Sequence, residues 1–384
     1  AAVASGVAWW VVRGDPPAWL FTLLALQGIL GLALRRRVRA AIRHAELRVR
    51  DLGVVSALIA AVERESFEAP QLREVQARLR ASGHAASAEI HRFTRLVELL
   101  ASRQNQIFGP ISVLLCWATQ LAWAIDRWRV RAGSHVPDWI AALGEFEALA
   151  ALGTFHAERP DAVFPTITEG SGRLEARDLR HPLLPPAIVV GNDVRLGDQA
   201  PHLILVSGSN MSGKSTWLRT IGINVVLAQA GAPVTAASMT LAPLAPAGTL
   251  RVQDSLQSGR SRFFAEITKL RQIVDLARRH AADPAAPVPL FLLDELLAGT
   301  NSHDRRRGAE GILRGLLELG AVGLATTHDL ALTGLADALG PRAVNVHLAD
   351  RFEQGGLEFD YRVRPGVVGT SNAIALMRSI GLEV

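Results

Sequence analysis

Apolar and polar positions follow two different rhythms along the chain, and the change falls just after Glu158-Arg159-Pro160. From Val38 to about Arg103, leucine, alanine and arginine recur at three-and-four spacing. That pattern predicts amphipathic helices, interrupted near Ala69-Pro70 and Ser82-Gly83. Ile107 to Ile125 (IFGPISVLLCWATQLAWAI) is apolar but carries Gly109-Pro110 and Gln120 and closes on Asp126 and Arg127, which predicts a buried core helix more than a membrane span. Trp128 to Phe155 continues as helix with a break at Gly133. Beyond Pro160, β-branched runs are separated by proline, glycine and aspartate. From His202 onward strands and helices alternate: HLILVS, a glycine loop, a helix over Lys214 to Gln229, a helix from about Arg262 to Arg279, PLFLLD, a helix from Arg305 to Leu319, and VGLATTH. The alternation predicts a mostly parallel sheet flanked by helices. AVNVHLA and LEFDYRV on either side of Gly355-Gly356 predict a terminal hairpin.

The N-terminus has a third rhythm. Pro17 to Leu34 (PAWLFTLLALQGILGLAL) is uncharged and at helical rise spans roughly 27 Å, close to a bilayer core. Arg35, Arg36, Arg37 and Arg39 follow at once, the flank expected on a cytoplasmic face. Ala1 to Val12 is also apolar, and Arg13 to Pro17 is a tight link. The pattern reads as a transmembrane hairpin with a truncated first helix; a buried helix pair or a signal-peptide remnant is the alternative. With no initiator methionine, the chain reads as a processed product or a fragment.

Composition changes this picture in three places. A chain of 384 residues accommodates two or three domains. Basic residues outnumber acidic ones by 41 to 36, a net +5 that permits a polyanion partner without demanding one. Every basic residue except Lys214 and Lys269 is arginine, so a retained lysine is informative. The single cysteine, Cys116, excludes an intrachain disulfide framework and fits a reducing cytoplasm.

Against that background one loop stands out. Gly208-Ser209-Asn210-Met211-Ser212-Gly213-Lys214-Ser215 satisfies G-x-x-x-x-G-K-[ST], follows an apolar strand and opens a helix, with Thr216 next in line. Such a loop turns its N–H groups and a helix N-terminus towards phosphate oxygens, with Lys214 reaching the β/γ-phosphates and Ser215 a Mg²⁺ ion. The chemistry implied is ATP binding with Mg²⁺. PLFLLD ends in Asp294 and Glu295; Asp294 would share the metal and Glu295 would polarise the attacking water. His328 ends the next strand, where a γ-phosphate would lie, as a phosphate sensor. Ser258 to Glu266 joins a flexible turn to a serine-capped helix start, either an anion site or simply a capped helix. Lys214, Glu295 and His328 are the catalytic candidates.

SGSNMSGKSTWLRTIG, DSLQSGRSRFFAEITKLRQI, LLDELLAGTNSHDR and ATTHDLAL stand in the order and spacing of the MutS family ATPase, the mismatch-repair branch of the ABC-type ATPases, which this sequence resembles. Arg180-His181-Pro182-Leu183, Gly191-Asn192-Asp193 and Ser371-Asn372-Ala373-Ile374 extend the resemblance over about Pro165 to Val384. It implies an α/β P-loop NTPase over 161–384, preceded by an all-α core and lever domain over 35–160 and the hydrophobic hairpin over 1–34. It further implies a homodimer in which Ser261 of one subunit faces the γ-phosphate held by the other, Gly299 to Asp304 crosses the interface, and ATP state governs a grip on DNA. The helices before the ATPase, Leu143 to Phe155 among them, would carry that state towards DNA. The sequence departs from the family in lacking a Phe-x-Glu wedge and room for the mismatch-reading and connector domains. No base-stacking aromatic stands between Pro186 and Val190, which leaves Asn210 or Ile188 to line the base.

Three functions compete on these grounds. The first is a MutS-like DNA-handling ATPase whose arginine-rich helices from Arg35 to Arg131 meet duplex, mismatched or branched DNA, although the same arginines also read as solvated helix faces. The second is a membrane-anchored mechanical ATPase acting on a protein or lipid partner, held to the inner face of the cell membrane through 1–34. A transporter nucleotide-binding subunit ranks third, because the signature segment lacks the transporter Leu-Ser-Gly-Gly-Gln form.

Overall fold

The continuous apolar runs HLILVS, PLFLLD and VGLATTH become strands buried on both faces. The computed structural model describes residues 2–15, 17–22, 25–26, 29, 32–34, 36, 38, 49–81, 83–170, 172–250, 262–297, 301–353 and 356–369. Two compact units divide the chain, Ala1–Leu152 and Gly153–Val384.

The first unit is helical among its described residues: α1 (Ala2–Arg13), α2 (Val49–Arg64), α3 (Pro70–Arg80), α4 (Ala86–Ala101), α5 (Phe108–Leu114) and α6 (Trp117–Ala132), with α7 (Val136–Glu158) beginning in it. Pro70 opens α3, where its missing N–H costs nothing. Ile59, Leu79, Ile90, Leu100, Trp128 and Trp139 form the core of this unit. Phe93 and Trp128 lie 4.4 Å apart between centroids, and the Trp128 indole N–H donates to the Glu89 carbonyl at 2.8 Å. The Glu89 carboxylate is buried yet paired with Arg131 at 2.8 Å, as a charge taken out of water requires.

Two expectations change here. Ile107 to Ile125 is not one buried core helix: Cys116 adopts a left-handed φ of 47° and splits the run into α5 and α6. Leu121, Ala122 and Ile125 are buried, but Ile107 and Val113 are 83% and 75% exposed. Apolarity alone could not reveal the left-handed turn at Cys116, after which the Phe108 ring packs edge-on against Trp117 at 5.5 Å between centroids. The transmembrane hairpin over 1–34 is likewise unsupported, since no helix among the described residues is long and apolar enough to cross a membrane. Several residues between 23 and 48 lie outside the described set. What is seen is a close contact between α1 and the following segment, where a Cβ on Gly6 would come within 2.8 Å of the Leu20 side chain.

The second unit contains β1 (Thr166–Ile167), β2 (Leu174–Leu179), β3 (Asn192–Leu196), β4 (Leu203–Gly208), α8 (Lys214–Gln229), β5 (Ser238–Leu241), β6 (Leu244–Gly248), α9 (Arg262–Ala282), β7 (Val288–Leu293), α10 (Ser302–Glu318), β8 (Val322–Thr327), α11 (Leu330–Leu339), β9 (Ala343–Glu353) and β10 (Gly356–Pro365). Six strands form the main sheet in the order β10-β9-β4-β8-β7-β6. All its pairings are parallel except the closing β9–β10 hairpin. Strands β1-β5-β2-β3 make a smaller mixed sheet. Side chains on β4 and β7 alternate between two cores. Ile204, Val206, Leu290 and Leu292 meet α8 and the small sheet, while Leu203, Leu205, Phe291 and Leu293 meet α9, α10 and α11. A mixed α/β unit with helices on both faces is thus established, and its parallel strands bring their carboxyl ends to one edge.

Phe291 is completely buried at the centre of the second core. Phe291→Ala should lower the unfolding free energy of this unit by about 3–5 kcal/mol. Urea titration checks this, and a loss below about 1 kcal/mol would mean that β7 is not a core strand.

Candidate functional site

A strand that ends on glycine can turn sharply enough to leave its last amides pointing outward. Gly208 closes β4 at φ 147°, and a Cβ there would lie 2.6 Å from the Leu348 carbonyl oxygen. Gly213 precedes α8 at φ 101°, with the Tyr361 ring 3.0 Å from where a Cβ would stand. Only glycine meets both demands without strain. Between them Met211 takes a φ of 69° and sits 82% exposed at the loop tip. The Ser209 and Ser212 hydroxyls are buried with no hydrogen-bond partner among the described residues.

Lys214 is buried, and its ammonium donates to the carbonyls of Gly208 at 2.9 Å and Ser209 at 2.6 Å. Burial lowers its pKa from the ordinary lysine value, while Glu295, Asp294 and Asp350 pull it back up. Beside it, Asp294 Oδ1 accepts from the Ser215 hydroxyl at 2.9 Å and from the Thr326 hydroxyl at 3.0 Å. The Thr326 Oγ1 in turn accepts from the Glu295 N–H at 2.7 Å, and Thr249 Oγ1 accepts from the Asp294 N–H at 3.1 Å. Glu295 Oε1 lies 2.8 Å from His328 Nε2. After these carboxylates the chain turns through left-handed residues, Glu295 at φ 51° and Leu297 at φ 57°, and the buried Glu266 carboxylate accepts from the Leu297 N–H at 2.6 Å.

The Gly208–Ser215 loop, the Asp294 and Glu295 carboxylates and His328 therefore share one sheet edge, because β8 pairs with both β4 and β7. A carboxylate flanked by a hydroxyl at hydrogen-bonding distance is the hard oxygen set that suits Mg²⁺. Ser261 and residues 298–300 lie outside the described residues. Asn301 caps α10, accepting from the Asp304 N–H at 2.9 Å.

Asn210, Met211, Gly213, Lys214, Ser215, Thr216 and Glu295 line a cavity of about 550 Å³. Ile188 lines it too, together with His181 of the Arg180-His181-Pro182-Leu183 segment and two residues not singled out from sequence, Trp217 and Tyr361. Tyr361 is the only tyrosine in the chain. It sits at φ 53° within a register shift between Phe359 and Val363 that interrupts the β9–β10 ladder, and its backbone carbonyl accepts from Asn192 Nδ2 at 2.9 Å. Composition could have pointed to it, whereas the bulge that delivers it has no local sequence signal. Thr326, Thr249 and Glu266 were also missed, although Thr326 belongs to the same ATTH run as His328.

Comparison with known proteins gives a consistent result. The family model described as MutS domain V matches residues 204–383. The chain is similar to Endonuclease MutS2 of Shouchella clausii, 33% identical over 231 residues covering 60% of this chain and 28% of that protein. It is similar to DNA mismatch repair protein MutS of the same organism, 35% identical over 250 residues, 63% of this chain and 27% of that protein. DNA mismatch repair protein MutS of Methanosarcina mazei is 28% identical over 326 residues, 83% of this chain and 32% of that protein. The chain thus matches between 27% and 32% of the length of these relatives.

The Thr326 hydroxyl serves two partners inside a fully buried position, whereas the Ser212 hydroxyl serves none. Thr326→Val should therefore lower the stability of the second unit by about 1–3 kcal/mol, and Ser212→Ala should be near neutral. Equal midpoints for both variants in denaturant unfolding would contradict the role assigned to Thr326.

Proposed function

From the premise that this chain belongs to the MutS family, whose domain V it carries at residues 204–383, we propose that it binds and hydrolyses Mg-ATP at the β4–β8–β7 edge. The single observation that carries this reading is the convergence of Lys214, Ser215, Asp294, Glu295 and His328 on that edge. The loop amides from Gly208 to Gly213 and the first turn of α8 receive phosphate oxygens. Lys214 exchanges the Gly208 and Ser209 carbonyls for the β/γ-phosphates, which relieves the burial of its charge. Ser215 and Asp294 would hold Mg²⁺, which when bound neutralises charge on the phosphates. Glu295, kept in place by its contact with His328 and by the Thr326 link to its backbone, orients and deprotonates the attacking water. Tyr361 offers a ring face beside the loop for the base.

In the wider reading, two copies share each nucleotide, Ser261 of one facing the γ-phosphate on the other, and nucleotide state controls a grip on DNA. The names of the similar proteins, mismatch repair protein and endonuclease, support a DNA partner.

Lys214→Ala should abolish nucleotide binding. Glu295→Gln should keep ATP binding while phosphate release falls by about a hundredfold or more. Calorimetry and a phosphate-release assay read the two effects, and unchanged turnover in both variants would defeat the assignment. For the DNA partner, duplex, mismatched and branched DNA titrated across a salt series should show affinity falling as salt rises. An absence of binding at low ionic strength would remove DNA from the proposal.

A further inference from the structure

In the main sheet β7 is flanked by β6 on one side and β8 on the other. Its last ladder partners are Gly248 for Leu292 and Ala325 for Leu293. Beyond them the ladder changes its chemistry on both sides. Thr249 still donates its N–H to the Leu292 carbonyl at 3.1 Å, and in a regular parallel ladder its own carbonyl would then receive the Asp294 N–H. That N–H goes instead to the Thr249 hydroxyl, at 3.1 Å. On the other side the Glu295 N–H goes to the Thr326 hydroxyl at 2.7 Å. Two threonine side chains, 4% and 0% exposed, thus stand in for main-chain acceptors at the successive amides of the two carboxylate residues.

The substitution has a physical reason. After Leu293 the chain leaves the extended path, with Glu295 at φ 51°, so main-chain pairing with β6 and β8 stops. Amides at such a point need other acceptors. A hydroxyl reaches out from the neighbouring strand along its side chain, and the β-branch of threonine restricts the rotamers it can take. The two amides are thereby held from opposite sides, and with them the backbone from which Asp294 and Glu295 project. Thr326 also donates to Asp294 Oδ1 at 3.0 Å, whereas the Thr249 bond is to the Asp294 amide. Neither threonine is among the residues that line the cavity beside the glycine loop, so each acts through the carboxylate residues.

We propose that Thr249 and Thr326 form a hydroxyl clamp, a pair of positioning residues that set Asp294 and Glu295 for hydrolysis and leave nucleotide capture to the glycine loop and Lys214. The proposal rests on the Mg-ATP reading of this site. It gives Thr249 a part in turnover, although it stands on the opposite side of β7 from His328 and outside the cavity.

The test is made at Thr249 in the full chain, because Thr326 also bonds a carboxylate oxygen directly. Thr249→Val keeps the shape and removes the acceptor; Thr249→Ser keeps the hydroxyl. Phosphate release gives kcat and KM, calorimetry gives the affinity for Mg-ATP, and hydrogen exchange follows peptides spanning Asp294. Thr249→Val is expected to lower kcat about ten- to a hundredfold, with Mg-ATP affinity within about twofold of wild type and faster exchange at Asp294. Thr249→Ser should recover kcat to within about threefold of wild type and restore the slow exchange. Where Thr249→Val does not fold, Thr249→Ala carries the same expectation. Wild-type kcat in the variant without the hydroxyl overturns the proposal. A serine variant as slow as the valine one overturns it too, and so does a parallel loss of Mg-ATP affinity, because the side chain would then serve packing alone. A wild-type chain that releases no phosphate from Mg-ATP instead removes the hydrolysis reading, and the clamp with it.

Discussion

The site depends on one hydroxyl. Thr326 Oγ1 takes the Glu295 N–H and gives its own proton to Asp294 Oδ1, which also receives the Ser215 hydroxyl. The end of β8 is thereby joined to the end of β7, and through Asp294 and Ser215 to the helix that follows β4. The sheet ladder holds these strands side by side but leaves their termini free to splay. The link at Thr326 fixes where the two carboxylates stand relative to the phosphate loop. It also anchors a strained stretch: Glu295 and Leu297 both occupy left-handed backbone, each at a cost of about 1–3 kcal/mol. The chain keeps that geometry because Thr326 holds the first amide and the buried Glu266 carboxylate holds the other.

Lys214 explains why an arginine-rich chain keeps a lysine. Its site is buried, with two backbone carbonyls and three carboxylates around it. A compact ammonium with three rotatable donors can pass from carbonyls to phosphate oxygens within that space, whereas a planar guanidinium demands a wider, fixed fork. The lowered pKa has the sign expected of a cation whose burial is only partly compensated by neighbouring carboxylates. Phosphate oxygens beside the ammonium would shift the balance further towards the charged form.

Legibility from sequence followed the range of the interactions. The strand–loop–helix of residues 203–229 was readable because glycines, lysine and serine act within one turn of one another. Asp294, Glu295 and His328 were readable because each ends an apolar run. Thr326 was in view within ATTH, yet its role depends on Asp294 and Glu295 arriving from a different strand. His181, Trp217 and Tyr361 reach the cavity from β2's exit, from α8 and from a bulge in β10, and no spacing rule connects them. The misreading of Ile107 to Ile125 has a related cause. Hydropathy measured the run correctly, but it carries no signal for the left-handed Cys116 that breaks the run in two and leaves Ile107 and Val113 exposed. In the first unit Glu89 runs the other way: a charged residue became core because Arg131 came within 2.8 Å of it.

Local signals thus mark the glycine loop, and tertiary arrangement builds the rest of the cavity wall; the two meet at Gly213. A side chain there would conflict both with the φ of 101° that starts α8 and with the Tyr361 ring 3.0 Å from the Cβ position. Tyr361 is held by the Asn192 amide on its carbonyl and by its own left-handed backbone within the bulge. Any shift of the β9–β10 hairpin must therefore move the ring against the phosphate loop or away from it. The hairpin that closes the sheet is in this sense a wall of the site, and the glycine loop cannot shift at Gly213 without meeting the Tyr361 ring.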